Sequence, residues 1–357
     1  MKTTMETTFG LTQSDADPNL FIYQGKTEKS YVLVFVDDML IIGPKQHVNY
    51  LKGQILKTWK GKDLGAVTMF TGLQIERNRS ARTLRIHLSL YTSKVLERFG
   101  MANANGVSLP ATAGTVLRNG DDVAQLSIEE TSLYQQITGC VMYLSNWTRP
   151  DIAYIVLQLA RYMAKPTETH LQHTKPLLRY LNATLNDGIT YGGGNTTDFG
   201  QFDCFTDATW GTEGDRKSLQ AWLIKANNAV TSWSANVQKS TALSSEHSEI
   251  MAASDGSREV AWMLKLWKDL GITPTKPPTL YLDNIGAEAL TKERKFTPKS
   301  KHIDIRHFYI RDDMVLAGKM TVQHVPGNDN MADALTKALP GPAFERYKGY
   351  MGLPLKS

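Results

Sequence analysis

Four carboxylates in the second half of the 357-residue chain stand in positions suited to chemistry. Asp207 follows the apolar run FDCF, Glu249 lies in SEIMAAS, Asp283 closes TLYLD, and Asp333 sits in NMADALTK. Asp207 and Asp283 each close an apolar run and Glu249 precedes Ile250-Met251-Ala252-Ala253, company that solvated surface acids rarely keep. Brought together, ionised carboxylates repel one another. Hard cations such as Mg²⁺ or Mn²⁺ relieve that repulsion because they take oxygen ligands and retain water. Two such ions about 3.5 to 4 Å apart suit phosphate-ester hydrolysis: one generates the attacking hydroxide, the other stabilises the leaving oxygen, and no Ser or Cys nucleophile is required. A second acidic pair, Asp37-Asp38 in FVDDML, lies between apolar runs at 31–36 and 39–42. It reads as a hairpin with an acidic tip, and the flanking strands predict a largely buried location for the pair.

The elements that must hold these acids follow from periodicity. The four lie on different elements: three strands (202–210, 218–226, 229–236), a long helix (244–270), a strand (278–283), helices, a strand (320–325) and a last helix. In a mixed sheet, acids at the ends of neighbouring strands can face a helix that crosses them, so the four can converge on one cleft. Upstream, a helical period covers 47–59, two strands are predicted at 69–76 and 83–88, and 108–127 reads as a connecting loop. Helices are predicted at 131–146, 151–163 and 168–182, with Pro150, Pro166 and Pro176 near their starts or breaks. Gly192-Gly193-Gly194 opens a flexible boundary.

Composition bounds the class. The chain exceeds the size at which one core stops growing, so two or three domains are expected. With 41% hydrophobic and 21% charged residues, neither wholesale disorder nor a membrane protein is indicated, and the N-terminus lacks an apolar signal core. The formal charge of +5 is a mild excess that does not by itself select a nucleic-acid partner. Cys140 and Cys204 form no zinc-type cluster and are expected to be buried thiols. An intracellular protein is expected.

The strings FTDATW, SSEHSEIMAAS, LYLDN, SKHIDIRHFYIRD and ADALTK stand in the order found in ribonuclease H domains of copia-type LTR retrotransposons. FVDDML resembles the palm hairpin of reverse transcriptases. QSDADPNLF, KDLGAVTMFTGLQIERN, LSLYTSKVLERFGM, YQQITGCVMYLSNWTRPDIAYIV and LLRYLNATLNDGITY resemble the rest of the copia-type palm, thumb and connection. The whole resembles the C-terminal portion of a copia-type Pol polyprotein. The resemblance implies an α/β and α+β chain: an incomplete reverse-transcriptase palm and start of a thumb at 1–110, a helical thumb and connection at 111–195, a ribonuclease H-like mixed five-stranded sheet with flanking helices at 196–345, and a tail at 346–357.

It further implies that Asp207, Glu249, Asp283 and Asp333 are the metal-binding acids of a two-ion site using Mg²⁺ or Mn²⁺, and that Asp37 and Asp38 are the polymerase remnant. His324 resembles the mobile histidine that many ribonucleases H place before the last acid, in proton transfer or product release. Lys301, His302, Arg306 and His307, in a basic segment, are candidates for contacts to the phosphates of the hybrid. The expected reaction is endonucleolytic cleavage of the RNA strand of an RNA/DNA hybrid. Other Pol fragments or subunits are possible partners, and the setting is cytoplasmic, with the parent element in virus-like particles, or nuclear.

DNA synthesis by this chain alone is not expected. Polymerisation needs a third carboxylate from an earlier palm strand, and among the 36 residues before Asp37, Asp15 and Asp17 lie in the QSDADP segment rather than on a catalytic strand. The competing reading is a catalytically inactive, nucleic-acid-binding remnant. An integrase is set aside because the helix-borne Glu249 precedes Asp283, whereas integrases take their glutamate last.

Overall fold

The computed structural model describes residues 1–26, 28–118, 125–194, 200–211, 217–292, 306 and 308–355. The chain divides into two compact units, residues 1–76 with 261–273, and residues 77–260 with 274–357.

The first unit is built on an antiparallel sheet in the order β1 (Thr12–Gln13), β2 (Leu20–Gln24), β3 (Lys29–Phe35), β4 (Asp38–Ile42). On β3 the period-2 pattern buries Ser30, Val32 and Val34 on one face. Leu51 and Ile55 of α2 (Lys45–Thr58), one turn apart, pack on that face together with Met5 of α1 (Lys2–Thr7), Phe9, Leu11 and Phe21. The QSDADP segment serves this unit as a docking point: Ser14 Oγ donates to Asp269 Oδ2 at 2.6 Å, and Trp262 Nε1 donates to the carbonyl of Ala16 at 3.1 Å.

Two expectations are corrected in this unit. The β3–β4 turn is Val36-Asp37, with Asp38 already the first residue of β4, and both aspartates are exposed rather than buried. The apolar burial of β3 ends at Val34, so Phe35 and Val36 are also exposed at the hairpin end. The expected strand at 69–76 is instead β5 (Met69–Phe70) and β6 (Leu73–Asn78), paired Phe70 to Leu73 around Thr71-Gly72. Both turn residues have positive φ, 51° and 87°, the backbone of a type I′ hairpin turn.

In the second unit the five-stranded sheet has the order β11 (Ala229–Val237), β10 (Leu219–Ala226), β9 (Phe202–Thr209), β12 (Thr279–Leu282), β13 (Thr321–His324). The first three are antiparallel, β12 runs parallel to β9, and β13 runs parallel to β12. The sheet is mixed and five-stranded, as expected of the region. Helix α8 (Ser245–Leu270) connects β11 to β12, and α9 (Ile285–Lys292) and a π-helical segment (Tyr309–Val315) come before β13.

Upstream in the same unit, β7 (Thr83–His87), α3 (Ser89–Arg98), α4 (Ile128–Trp147), α5 (Ala153–Ala160), α6 (Glu168–Gln172), α7 (Thr174–Ala183) and β8 (Gly188–Gly192) follow in order. A capping box between Ser127 and Glu130 starts α4. The single helix expected at 168–182 is divided at His173 into α6 and α7. Pro176 has no N–H to offer the carbonyl four residues back, and it sits comfortably in the first turn of α7. Cys204 is buried in β9, but Cys140 is only half-buried, beside Tyr91 on the flank of α4.

The chain then closes with α10 (Asp333–Thr336) and α11 (Gly341–Tyr350). Residues 346–357 begin inside α11, and Tyr347, Met351 and Leu353 are buried in one core with Ala153, Ile189, Phe205, Leu223 and Leu335. Beneath this core Arg149 is buried in a bidentate pair with Asp151, at 3.0 and 2.8 Å, and donates to Thr184 Oγ1 at 2.7 Å. Tyr180 donates to Asp151 Oδ2 at 2.6 Å. Among the described residues no helix is long and apolar enough to cross a membrane.

Candidate metal centre

Each acid is placed by its element. β9 is the central strand, buried along most of its length, and delivers Asp207 with its side chain almost fully enclosed. β12 runs beside it and releases Asp283 at its C-terminal end. There Asn284 Oδ1 accepts the N–H of Ala287 at 2.9 Å and starts α9.

Helix α8 crosses the sheet on small residues. Ala252, Ala253, Gly256 and Ser257 are all buried. A Cβ at Gly256 would lie 2.7 Å from Thr206 Cγ2 and 3.1 Å from Cys204 Sγ, so glycine lets the helix approach β9 closely. Two turns earlier Glu249 faces the strand, and its Oε1 accepts the N–H of Ala208 at 3.2 Å. Gly256→Val is therefore expected to push α8 off β9, costing about 1–3 kcal/mol of stability, read as a lower urea midpoint.

Asp333 opens α10. The loop before it is tied to β9 by Asn330, fully buried, whose Nδ2 donates to the carbonyl of Thr206 at 2.8 Å. Thr336 Oγ1 donates to Asp207 Oδ2, and Lys337 Nζ lies 2.8 Å from Asp333 Oδ1 and 3.6 Å from Asp207 Oδ2.

Asp207, Asp283 and Asp333 thus come together with one carboxylate oxygen from each, all within 4.8 Å of one another. Glu249 stands next to this trio, close enough for the charges of Asp207 and Asp283 to act on it. His324 ends β13 in register with Leu282, next to Asp283; it is exposed, and its backbone N–H donates to Glu288 Oε1 at 3.1 Å. Arg306 is half-buried, 3.8 Å from Asp255. Lys301, His302 and His307 lie outside the described residues. Asp37 and Asp38 belong to the first unit and take no part in this cluster.

Sequence reasoning missed Asn330, Thr336 and Lys337, although the i, i+3 and i, i+4 spacing from Asp333 to Thr336 and Lys337 marked the last two as its neighbours.

The electrostatics are those of crowded acids. Burial and then the Asp207 charge push the Asp333 carboxyl up to about 7. The same two causes raise Asp283, and burial with the Asp207 and Asp283 charges raises Glu249 well above the ordinary glutamate value. A carboxyl with a raised folded pKa binds its proton more tightly in the folded state. Its stabilising contribution is complete below the unfolded pKa and is lost as pH rises through the folded one. In a chelator the melting temperature of the wild type, relative to that of Asp333→Asn, is therefore expected to fall as pH is raised from 3.8 to about 7, the window set by Asp333. Adding Mg²⁺ at the upper end is expected to restore it, as differential scanning fluorimetry would read.

Divalent ions fit this donor set. It is made of oxygens, as Mg²⁺ and Mn²⁺ prefer. Glu249 Oε2 is buried and has no hydrogen-bond partner among the described residues, an acceptor left over for a cation. A Cβ at Gly327 would stand 3.3 Å from Asp283 Oδ2, so glycine keeps the space beside that oxygen clear.

The chain thus carries a mixed five-stranded sheet with clustered carboxylates and, in its first unit, an antiparallel sheet. Residues 2–113 match the family described as reverse transcriptase (RNA-dependent DNA polymerase). The chain is 33% identical over 347 residues to the retrovirus-related Pol polyprotein from transposon TNT 1-94 of Nicotiana tabacum, covering 95% of this chain and 26% of that protein. It is 34% identical over 349 residues to the corresponding polyprotein from transposon RE1 of Arabidopsis thaliana, covering 97% and 23%. The chain belongs to the copia-type retrovirus-related Pol polyprotein family, and it spans about a quarter of the length of these relatives.

Among solved structures it resembles the N-terminal RNase H domain of a Mycobacterium tuberculosis protein fused to maltose-binding protein (TM-score 0.28, 12% identity, 41% of this chain and 95% of that one). It also resembles LC11-RNase H1 in complex with RNA/DNA hybrid (TM-score 0.27, 14% identity, 38% and 93%).

Proposed function

We propose that the second unit is a divalent-metal-dependent ribonuclease H that cuts the RNA strand of RNA/DNA hybrids. The observation that carries this reading is the meeting of Asp207, Asp283 and Asp333, from three separate elements, with their oxygens within 4.8 Å. Asp207, Asp283, Asp333 and Glu249 would hold two Mg²⁺ or Mn²⁺ ions. When bound, such ions supply a water nucleophile at neutral pH and stabilise charge on the leaving oxygen.

The chain's own residues do the rest. β9, β12, α8 and α10 hold the four carboxylates in fixed directions, so no reorganisation is required at the moment of reaction. Thr336 and Asn330 fix Asp207 and the loop preceding Asp333. His324, exposed next to Asp283, would move a proton to or from the substrate at the rim. Arg306, together with Lys301 and His302, would contact the phosphates, and preference for a hybrid would come from 2′-hydroxyl contacts on the cut strand and groove shape.

We assign residues 1–110 to a reverse-transcriptase palm and the start of a thumb, 111–195 to thumb and connection, and 196–345 to the nuclease. We further propose that the chain alone does not extend primers, because Asp37 and Asp38 are exposed and, among the described residues, join no group of three acidic or metal-ligating side chains. Its setting would be the cytoplasm or the nucleus, where other Pol fragments could join it.

The test is incubation of the purified chain with a labelled RNA/DNA hybrid, a DNA duplex and a primed template, each with Mg²⁺, Mn²⁺ or chelator. Divalent-dependent cutting of the hybrid alone, without primer extension, is expected. A hybrid that is bound but left intact with both ions would refute the nuclease and leave a binding module.

A further inference from the structure

Among the described residues, the basic side chain paired with the acids just described is Lys337. We propose that Lys337 is a resident placeholder cation, which assembles the carboxylates of the metal centre in the absence of a divalent ion and must leave them when one binds, thereby setting the affinity of the site. The proposal rests on the reading above in taking these acids as ion ligands.

Position comes first. The ammonium is 2.8 Å from Asp333 Oδ1 and 3.6 Å from Asp207 Oδ2, so it lies between two of the three carboxylates that converge. A small divalent ion held by Asp207 and Asp333 would take oxygens of the same two carboxylates at about 2.0–2.1 Å. Two cations sharing those oxygens would repel each other, so binding of one requires withdrawal of the other.

Mobility points the same way. The acids are anchored in buried elements, with 2% of the Asp207 side chain and 12% of the Asp333 side chain exposed, whereas the Lys337 side chain is 41% exposed. Its backbone is past the end of α10, held by an N–H bond to the carbonyl of Asp333 at 2.9 Å. Only the flexible four-carbon stem needs to swing, and it swings toward water.

The influence of this charge extends across the cluster. Burial pushes the Glu249 and Asp283 carboxyls up, and the Lys337 ammonium pulls both back down. One monovalent group is thus the counter-ion of a site built for more positive charge.

A placeholder predicts two effects of opposite sign. Lys337→Met leaves the buried acids unneutralised in a chelator, so the melting temperature falls, yet it removes the competitor, so Mn²⁺ binds about ten-fold tighter. A lysine with a merely structural role would lower stability and leave Mn²⁺ affinity unchanged or weaker. The experiment is calorimetric Mn²⁺ titration of the full chain, without nucleic acid, for the wild type, Lys337→Met, Lys337→Gln, Lys337→Arg and Asp283→Asn, alongside melting in EDTA and in saturating Mn²⁺.

Tighter binding in the Met or Gln variant, with the Arg variant close to wild type, is expected. Unchanged or weaker Mn²⁺ binding in both neutral variants, or equal tightening in the Arg variant, would overturn the placeholder while Asp283→Asn still reports a metal site. Absence of Mn²⁺ uptake by wild type and neutral variants alike would overturn the metal reading of the acids, and the proposal with it.

Discussion

Asp283→Asn is expected to slow hybrid cleavage about 10³-fold while raising the melting temperature in a chelator. The amide keeps the size of the side chain but loses the negative charge that would ligate an ion, and ion ligation at such sites is worth several kcal/mol of transition-state stabilisation, each 1.36 kcal/mol being about tenfold in rate. The gain in stability has a separate cause. In the ion-free protein, burial and the Asp207 charge push the Asp283 carboxyl up, and the Asp283 charge in turn pushes up Glu249 and Asp333. Removing this one charge relieves Glu249 and Asp333. Single-turnover cleavage together with melting in EDTA separates the two effects, and loss of both activity and stability would mean that Asp283 is a structural residue.

The largest stability effect is expected outside the acidic cluster, at the buried Arg149–Asp151 pair. Arg149→Ala should destabilise the second unit by about 3–5 kcal/mol, because it strands the Asp151 carboxylate in a buried site. Burial pushes that carboxyl up, and Arg149 with the Tyr180 hydroxyl holds it below the ordinary value. The same guanidinium donates to both the carbonyl and the hydroxyl of Thr184, at the end of α7. Tyr180 of α7 meets Phe344 of α11 edge-on, with ring centres 5.8 Å apart, and Lys348 of α11 pairs with Asp187 at 3.0 Å. Helix α10, which carries Asp333, packs on the turn Pro150–Ile152. Loss of Arg149 should therefore lower hybrid cleavage as well as the urea midpoint. The double replacement Arg149→Met with Asp151→Leu is expected to recover part of the stability, since no unpaired charge remains, whereas equal loss in the single and double variants would contradict this account.

What was legible in the sequence was what local pattern and polarity can encode. The long helix was expected at 244–270 and runs from Ser245 to Leu270, since its buried positions recur at helical spacing over seven turns. The strands that carry Asp207 and Asp283 were visible as apolar runs ending in an acid. Asp333 was legible because its string is distinctive, although its helix is a single turn.

The elements that escaped depend on distant partners. β8 (Gly188–Gly192) is short and glycine-flanked, and it exists because it pairs with β7 a hundred residues earlier. Gly188 is required there, since a Cβ would come within 2.5 Å of the carbonyl oxygen of Ile86. The exposure of Asp37 and Asp38 is not legible from their apolar flanks, because the apolar face of β3 ends before the turn. Lys337 was not singled out because its importance comes from Asp207, which lies 130 positions away in the chain and adjacent in space.

The central claim is metal-assisted hydrolysis of the RNA strand. It is tested most directly by analysing the ends produced from a hybrid whose RNA and DNA strands carry different labels, incubated with the chain and Mg²⁺ or Mn²⁺. Internal RNA fragments ending in 3′-hydroxyls, an intact DNA strand, and no products in EDTA are expected. Intact RNA with both ions, or EDTA-resistant cleavage leaving 2′,3′-cyclic phosphates, would contradict that claim.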